Sequence, residues 1–229
     1  MTDKKYILFA AVGVCGLIGV MLIGHAYGFG WAGGDGYRET VPATIGDTTG
    51  EVRVVGFNAK HTVQKSGVIK RGETLKTPAN TRAFVQLNGV WLFLDQRSDV
   101  TFQKLFADEI ELSVTRGRIA LYRNDIAGDV TIKTNYTSTK LPQEGALTLV
   151  NFNFDETVKI VPLQNTQLAI THRSDRTHST ATPVSIKEIP MVVSQTSFNP
   201  TGQAAEFYDW INKKSPPPHN VKEGHDTRR

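Results

Sequence analysis

The sequence predicts an all-β protein: an antiparallel β-sandwich or jelly roll, with one N-terminal transmembrane helix and a short C-terminal helix. Three observations carry this. From Glu51 to about Val193 the chain is a succession of short runs rich in Val, Ile, Thr and aromatics, separated by Gly, Asn, Asp and Pro. No part of that region has a helical period. Residues 6–24 are uncharged and largely apolar, and near the other end Ala204, Phe207, Tyr208 and Ile211 recur at i, i+3, i+4 and i+7.

Taken in order, residues 1–5 are a cytoplasmic N-terminus and 6–24 a membrane anchor. At about 1.5 Å per residue the apolar stretch matches the ~30 Å hydrocarbon core of a bilayer. Lys4 and Lys5 precede it, which keeps the N-terminus in the cytoplasm and exports the rest. Tyr27, Phe29 and Trp31 follow directly and suit the outer membrane-water interface as anchors. A cleaved signal peptide is the competing reading, because Gly24-His25-Ala26 loosely fits the small-x-small pattern. The apolar run is longer than the usual ~7 to 15 residue signal core. A lipoprotein box before Cys15 lacks its leucine.

Residues 25–50 read as a tether, since Gly33 to Gly50 is rich in Gly, Asp, Thr, Pro and Ala without periodicity. The β domain is expected over residues 51–194. Its candidate strands are residues 52–55, 68–70, 82–87, 90–94, 110–114, 118–122, 130–133, 146–153, 157–161 and 167–171. The best local signal is Leu87-Asn88-Gly89-Val90, a two-residue hairpin of type I′. If Leu87 faces Val90, then Ala83, Val85, Leu92 and Leu94 share one face while Phe84, Gln86, Trp91 and Phe93 share the other. Both faces are apolar, so the second needs a cover: a helix, another sheet or a partner, the candidate in this chain being the short helix that residues 195–229 carry ahead of a Pro-rich tail. Ser215-Pro216-Pro217-Pro218 stops that helix before a polar tail.

Composition narrows the function. The net charge is +4, but the lysines and arginines are scattered, so nucleic acid is not expected as a partner. The single cysteine, Cys15, lies inside the predicted span, which leaves no intramolecular disulfide and no thiol catalysis. No Gly-x-Ser-x-Gly elbow and no phosphate-cradling glycine loop occurs. His172, Asp175 and His178 come close together but read as a Ser, Thr and Arg rich loop rather than a metal site. Asp108, Glu109 and Glu111 read as a polar sheet face, with Ile110, Leu112 and Val114 pointing inward. Leu141 to Gly145 reads as a turn. No enzyme, catalytic residue, metal or cofactor is expected.

The strand motifs resemble a known family. Gly50-Glu51-Val52-Arg53-Val54, then Val68 to Thr77, are similar to the first elements of the FecR-type periplasmic domain, named for anti-sigma regulators of ferric siderophore uptake. Ala83 to Leu94 resembles its strand, Asn-Gly turn and strand, with Ser98-Asp99-Val100 after it. Glu111 to Ile119 looks like its Leu-x-x-Gly-x-Ile step, and Val130 to Thr134 like the next strand. These are turn and core positions. Family regulators carry a cytoplasmic segment that holds a sigma factor, whereas here about five residues precede the span. The resemblance therefore implies a β-rich, non-enzymatic envelope domain and transfers no ligand-binding residue.

The expectation is a protein-binding, scaffold or sensor module anchored in a bacterial inner membrane with its domain in the periplasm. It contacts another envelope protein through a strand edge or through the Phe84, Trp91 and Phe93 face. The alternatives are a carrier or bridge for an amphipathic lipid, which needs an open apolar trough between sheets, and a cell-wall glycan binder.

Overall fold

Alternating apolar and polar side chains commit most of the chain to strands, and one glycine decides how those strands are arranged. A computed structural model describes residues 38–56, 60–63, 66–152, 157–172, 176–187 and 192–214. In chain order the strands are β1 (Ala43–Thr48), β2 (Val52–Val55), β3 (Lys60–Val63), β4 (Val68–Ile69), β5 (Thr74–Lys76), β6 (Ala83–Leu87), β7 (Val90–Leu94), β8 (Asp99–Leu105) and β9 (Glu109–Arg123). They continue with β10 (Asp129–Lys133), β11 (Thr137–Leu141), β12 (Ala146–Phe152), β13 (Thr157–Leu163), β14 (Leu168–His172), β15 (Thr177–Thr180), β16 (Val184–Lys187) and β17 (Val192–Gln195). Helix α1 (Gln203–Lys213) follows.

Among the described residues the 17 strands belong to one hydrogen-bonded sheet. The pairings divide it into two wings that share β9. One wing runs β4-β1-β6-β7-β9-β12-β13-β16-β17. The other runs β3-β2-β5-β8-β9-β10-β11-β14-β15. The N-terminal half of β9, to Arg116, pairs with β8, and its second half, from Gly117, pairs with β12 and β7.

Reach requires this strand to bend. Its 15 residues would span roughly 45 Å if straight. Yet the N–H of Asp129 bonds the C=O of Asp108 at 2.9 Å, after a link that reaches only roughly 20 Å. The bend falls at Gly117, whose φ is +110° and whose missing Cβ would lie 2.2 Å from Ser98 Oγ. Ser98 Oγ accepts from Arg118 N–H at 3.2 Å and donates to Arg118 C=O at 3.1 Å, pinning the corner.

Inward side chains from both wings meet in one core: Val85, Leu92, Ile119 and Leu149 from the first, Val54, Leu75, Phe102 and Leu112 from the second, all fully buried. The sheet is antiparallel except where β10 runs parallel to β9. That pair exists because the bend returns the chain to the start of β9.

The hairpin register is as expected: Leu87 faces Val90, Val85 faces Leu92 and Phe84 faces Phe93. Its turn type is not. Only Gly89 has a positive φ, of 66°, so the turn is not type I′. Packing from the next connection sets it, since Asn124 N–H bonds Gly89 C=O at 3.0 Å and Asn124 Oδ1 occupies the space of a Gly89 Cβ.

Two expected strands, residues 110–114 and 118–122, are one continuous β9. The expected tether of residues 25–50 contains β1, which hydrogen-bonds between β4 and β6. Its register shifts between Ile45 and Asp47, where Gly46 makes room for the Phe84 ring. Residues 6–24 and the anchors Tyr27, Phe29 and Trp31 lie outside the described residues. Among the described residues no helix is long and apolar enough to cross a membrane.

Candidate interaction face

The outer face of the first wing is built by alternation. Inward Ile119 and Leu121 put Ala120 and Tyr122 outward on β9, and inward Leu92 and Leu94 leave Trp91 and Phe93 outward on β7. Phe84 stacks on Phe93 with ring centroids 4.8 Å apart, and Phe93 meets Tyr122 edge to face at 5.9 Å. Ala146, Val161 and Leu163 complete an apolar surface.

Helix α1 lies on it. The stripe read from the sequence is the buried one, with Phe207, Tyr208 and Ile211 inside. Trp210, outside that stripe, meets Phe93 edge to face at 5.8 Å. The self-covering alternative is therefore what Phe93 shows: it is 1 % exposed. Phe84, Trp91 and Trp210 are half-buried around it.

Polar contacts help fix the helix. Tyr208 OH and Thr148 Oγ1 are 2.8 Å apart in the buried interior, Arg82 Nη2 reaches Glu206 at 3.3 Å, and Lys214 pairs with Asp47. Arg82 also bonds Asp95, which is 3 % exposed and receives Arg118 Nη1 at 2.6 Å. Two guanidiniums thus neutralise one buried carboxylate. The helix has no side-chain N-cap at Gly202, but Glu206 in its first turn and Lys213 in its last suit its dipole. Burial pushes the Tyr208 phenol up to about 12 and raises that of Tyr122 further, so both stay protonated.

The other sequence candidates are dispersed. His172 ends β14 and His178 lies in β15, opposite Ile170; Asp175 is outside the described residues. Burial, and then the nearby His178, hold His172 below the ordinary histidine value. Among the described residues no three His, Cys, Asp or Glu side chains come together as a metal site. Ile110, Leu112 and Val114 point inward, while Glu111 pairs with Lys133 at 2.9 Å and Lys104 at 3.6 Å. Lys104 Nζ also donates to Glu109 Oε1 at 2.7 Å, and that hydrogen bond raises the lysine's pKa. Two hollows open on the surface: one of about 490 Å³ with a mixed lining that includes Val41, Pro42, Leu87, Glu39 and Gln86, and a polar one of about 230 Å³ beside Asn80, Arg82, Gln96 and Glu206.

Sequence reasoning did not find Trp210, Tyr122 or the β17 edge. Trp210 sits beside, not on, the i, i+3, i+4 stripe, and β17 is a four-residue run with no punctuation of its own.

No family model and no curated protein matches the chain. It is similar to two crystal structures, at 1.65 and 2.50 Å resolution, of a "putative anti-sigma factor" from Parabacteroides distasonis ATCC 8503. Identity is 8 % and 9 %, each with a TM-score of 0.49, over 60 % of this chain and 64 % and 63 % of theirs. The chain therefore spans less than two thirds of the length of either structure.

Proposed function

We propose that the chain is a non-enzymatic binding or scaffold module: a β-sandwich of jelly-roll type, held by the 6–24 anchor on the periplasmic side of a bacterial inner membrane. Its partner is another envelope protein. The reading rests on the half-buried aromatic border of Phe84, Trp91 and Trp210 around α1. Large aromatics that are partly covered and rigidly seated make strong contact anchors, because little rotamer freedom remains to be lost on binding. The FecR-type resemblance supports the same class; its motif residues Ser98 and Gly117 meet at the bend of β9.

A lipid carrier needs an open trough between the wings. The inward side chains there, Leu75, Leu92, Phe102 and Leu112 among them, are fully buried against one another, which favours the protein-binding reading.

The test is cross-linking of the tagged full-length protein in its native membrane, with Trp91→Ala alongside. Wild type is expected to capture one defined envelope protein that the variant loses while its melting curve still shows a single folded transition. Co-purifying lipid or glycan without a protein would overturn the proposal.

A further inference from the structure

Strand β17 is an edge whose exposure its position in the sheet does not explain. It pairs on one side with β16, where Ile186 faces Val193 and Val184 faces Gln195. Ile186 and Val184 are each 1 % exposed on the core face, so Val193 belongs to that face too. Val193 is nevertheless 38 % exposed, and Val192, on the other face, is 50 % exposed. All four residues of the strand are exposed.

The register says which main-chain groups are unused. Thr196 N–H bonds Pro183 C=O at 3.0 Å, which makes 183/196 a hydrogen-bonded position. Alternation then makes 185/194 and 187/192 hydrogen-bonded, and points the N–H and C=O of Val193 and Gln195 away from β16. Among the described residues no main-chain partner meets them. The other edges carry the charges or imidazoles that discourage strand addition: Lys60 and His61 on β3, Lys70 and Arg71 beside β4, Arg176 and His178 at β15. From Val192 to Ala205 there is none.

We infer that β17 pairs antiparallel with β17 of a second copy of this chain, about a two-fold axis at Ser194. That register sets Val193 against Gln195 of the second copy and Gln195 against its Val193. The outward groups of both residues are then satisfied in two reciprocal rings. No like charges meet across the axis, and each exposed core-face valine gains a neighbour. A four-residue pairing falls below the ~1,200 Å² of a stable interface, so the complex is weak and must be trapped covalently. This goes beyond the binding-module reading and does not depend on it.

The two Ser194 residues would form a non-hydrogen-bonded pair, with Cα atoms about 4.5 Å apart, inside the range a disulfide bridges. The full chain carrying Cys15→Ala and Ser194→Cys, under mild oxidation in membranes, is expected to form a disulfide-linked homodimer. Ser179→Cys, also exposed on edge strand β15, is expected to form at least tenfold less. Adding Val193→Pro removes an outward N–H without touching the bonds to β16, and is expected to lower the dimer yield at least tenfold with an unchanged melting temperature. Absence of the Ser194→Cys dimer, equal yields at Ser179→Cys, or a disulfide to a different protein would each overturn the inference.

Discussion

The hydroxyls of Tyr208 and Thr148 lie 2.8 Å apart in the buried interior and join residues 60 positions apart. Thr148 spends its proton on the C=O of Ile119 at 2.7 Å, so Tyr208 is the donor. The relay runs from the helix through β12 to β9. It is the buried polar tie of α1 to the aromatic face, and it fixes where along the face the helix sits.

Tyr208→Phe should lower stability by about 1 kcal/mol, the usual net value of one hydrogen bond. Thr148→Val should cost more, about 1 to 3 kcal/mol, because it leaves the Tyr208 hydroxyl buried without a partner. Denaturant titration of both singles and the double checks this. Thr148→Val should be milder in the Tyr208→Phe background, and strict additivity would refute the relay.

The two buried phenols predict alkaline sensitivity. With its folded pKa raised to about 12 against 10.0 in the open chain, Tyr208 keeps its proton where the unfolded chain has lost it. Below about pH 10 both states are protonated and the term is constant. Between about pH 10 and 12 the unfolded state binds fewer protons, so stability should fall by about 1.4 kcal/mol per pH unit for each such group. Tyr122, shifted the same way by burial, adds to it. Melting followed upward from neutral pH should show the decline, and Tyr208→Phe should flatten it. An unchanged slope in that variant would show that its phenol titrates freely.

Phe93→Ala should cost about 3 to 5 kcal/mol, since the ring is buried between Phe84, Tyr122 and Trp210. Removing residues 203–213 should leave the two-winged sheet intact but uncover the same ring, giving loss of solubility rather than loss of strands. Circular dichroism and sedimentation of the shortened chain separate those outcomes. A soluble monomer would mean that α1 is not needed as a cover.

The parts of this architecture legible in the sequence are those set by local rules. Asn88-Gly89 fixed the β6/β7 register because side-chain alternation leaves one way to bury Val85 and Leu92 together. The α1 stripe was legible because only a helix groups Phe207, Tyr208 and Ile211. What was not legible depends on distant partners. β1 reads as a tether because Gly46 and Asp47 interrupt it, and Gly46 makes sense only beneath Phe84. β9 reads as two strands because Gly117 is ordinary turn punctuation locally, whereas the continuity of the strand comes from β8 on one side and β12 on the other.

Gly117 therefore gives the sharpest test of the fold. Any side chain there meets two penalties, a φ of +110° and a Cβ placed 2.4 Å from Ser98 Cα as well as 2.2 Å from its Oγ. Gly117→Ala should destabilise by about 3 kcal/mol or more, combining backbone strain with overpacking. Ser98→Gly removes the Oγ but not the Cα, so it should not rescue Gly117→Ala; alone it should cost about 1 to 2 kcal/mol for its lost bonds to Arg118. Chemical denaturation of the three variants decides the matter. A Gly117→Ala protein as stable as wild type would mean that β9 does not turn there, and the parallel pairing of β10 with its first half would lose its cause.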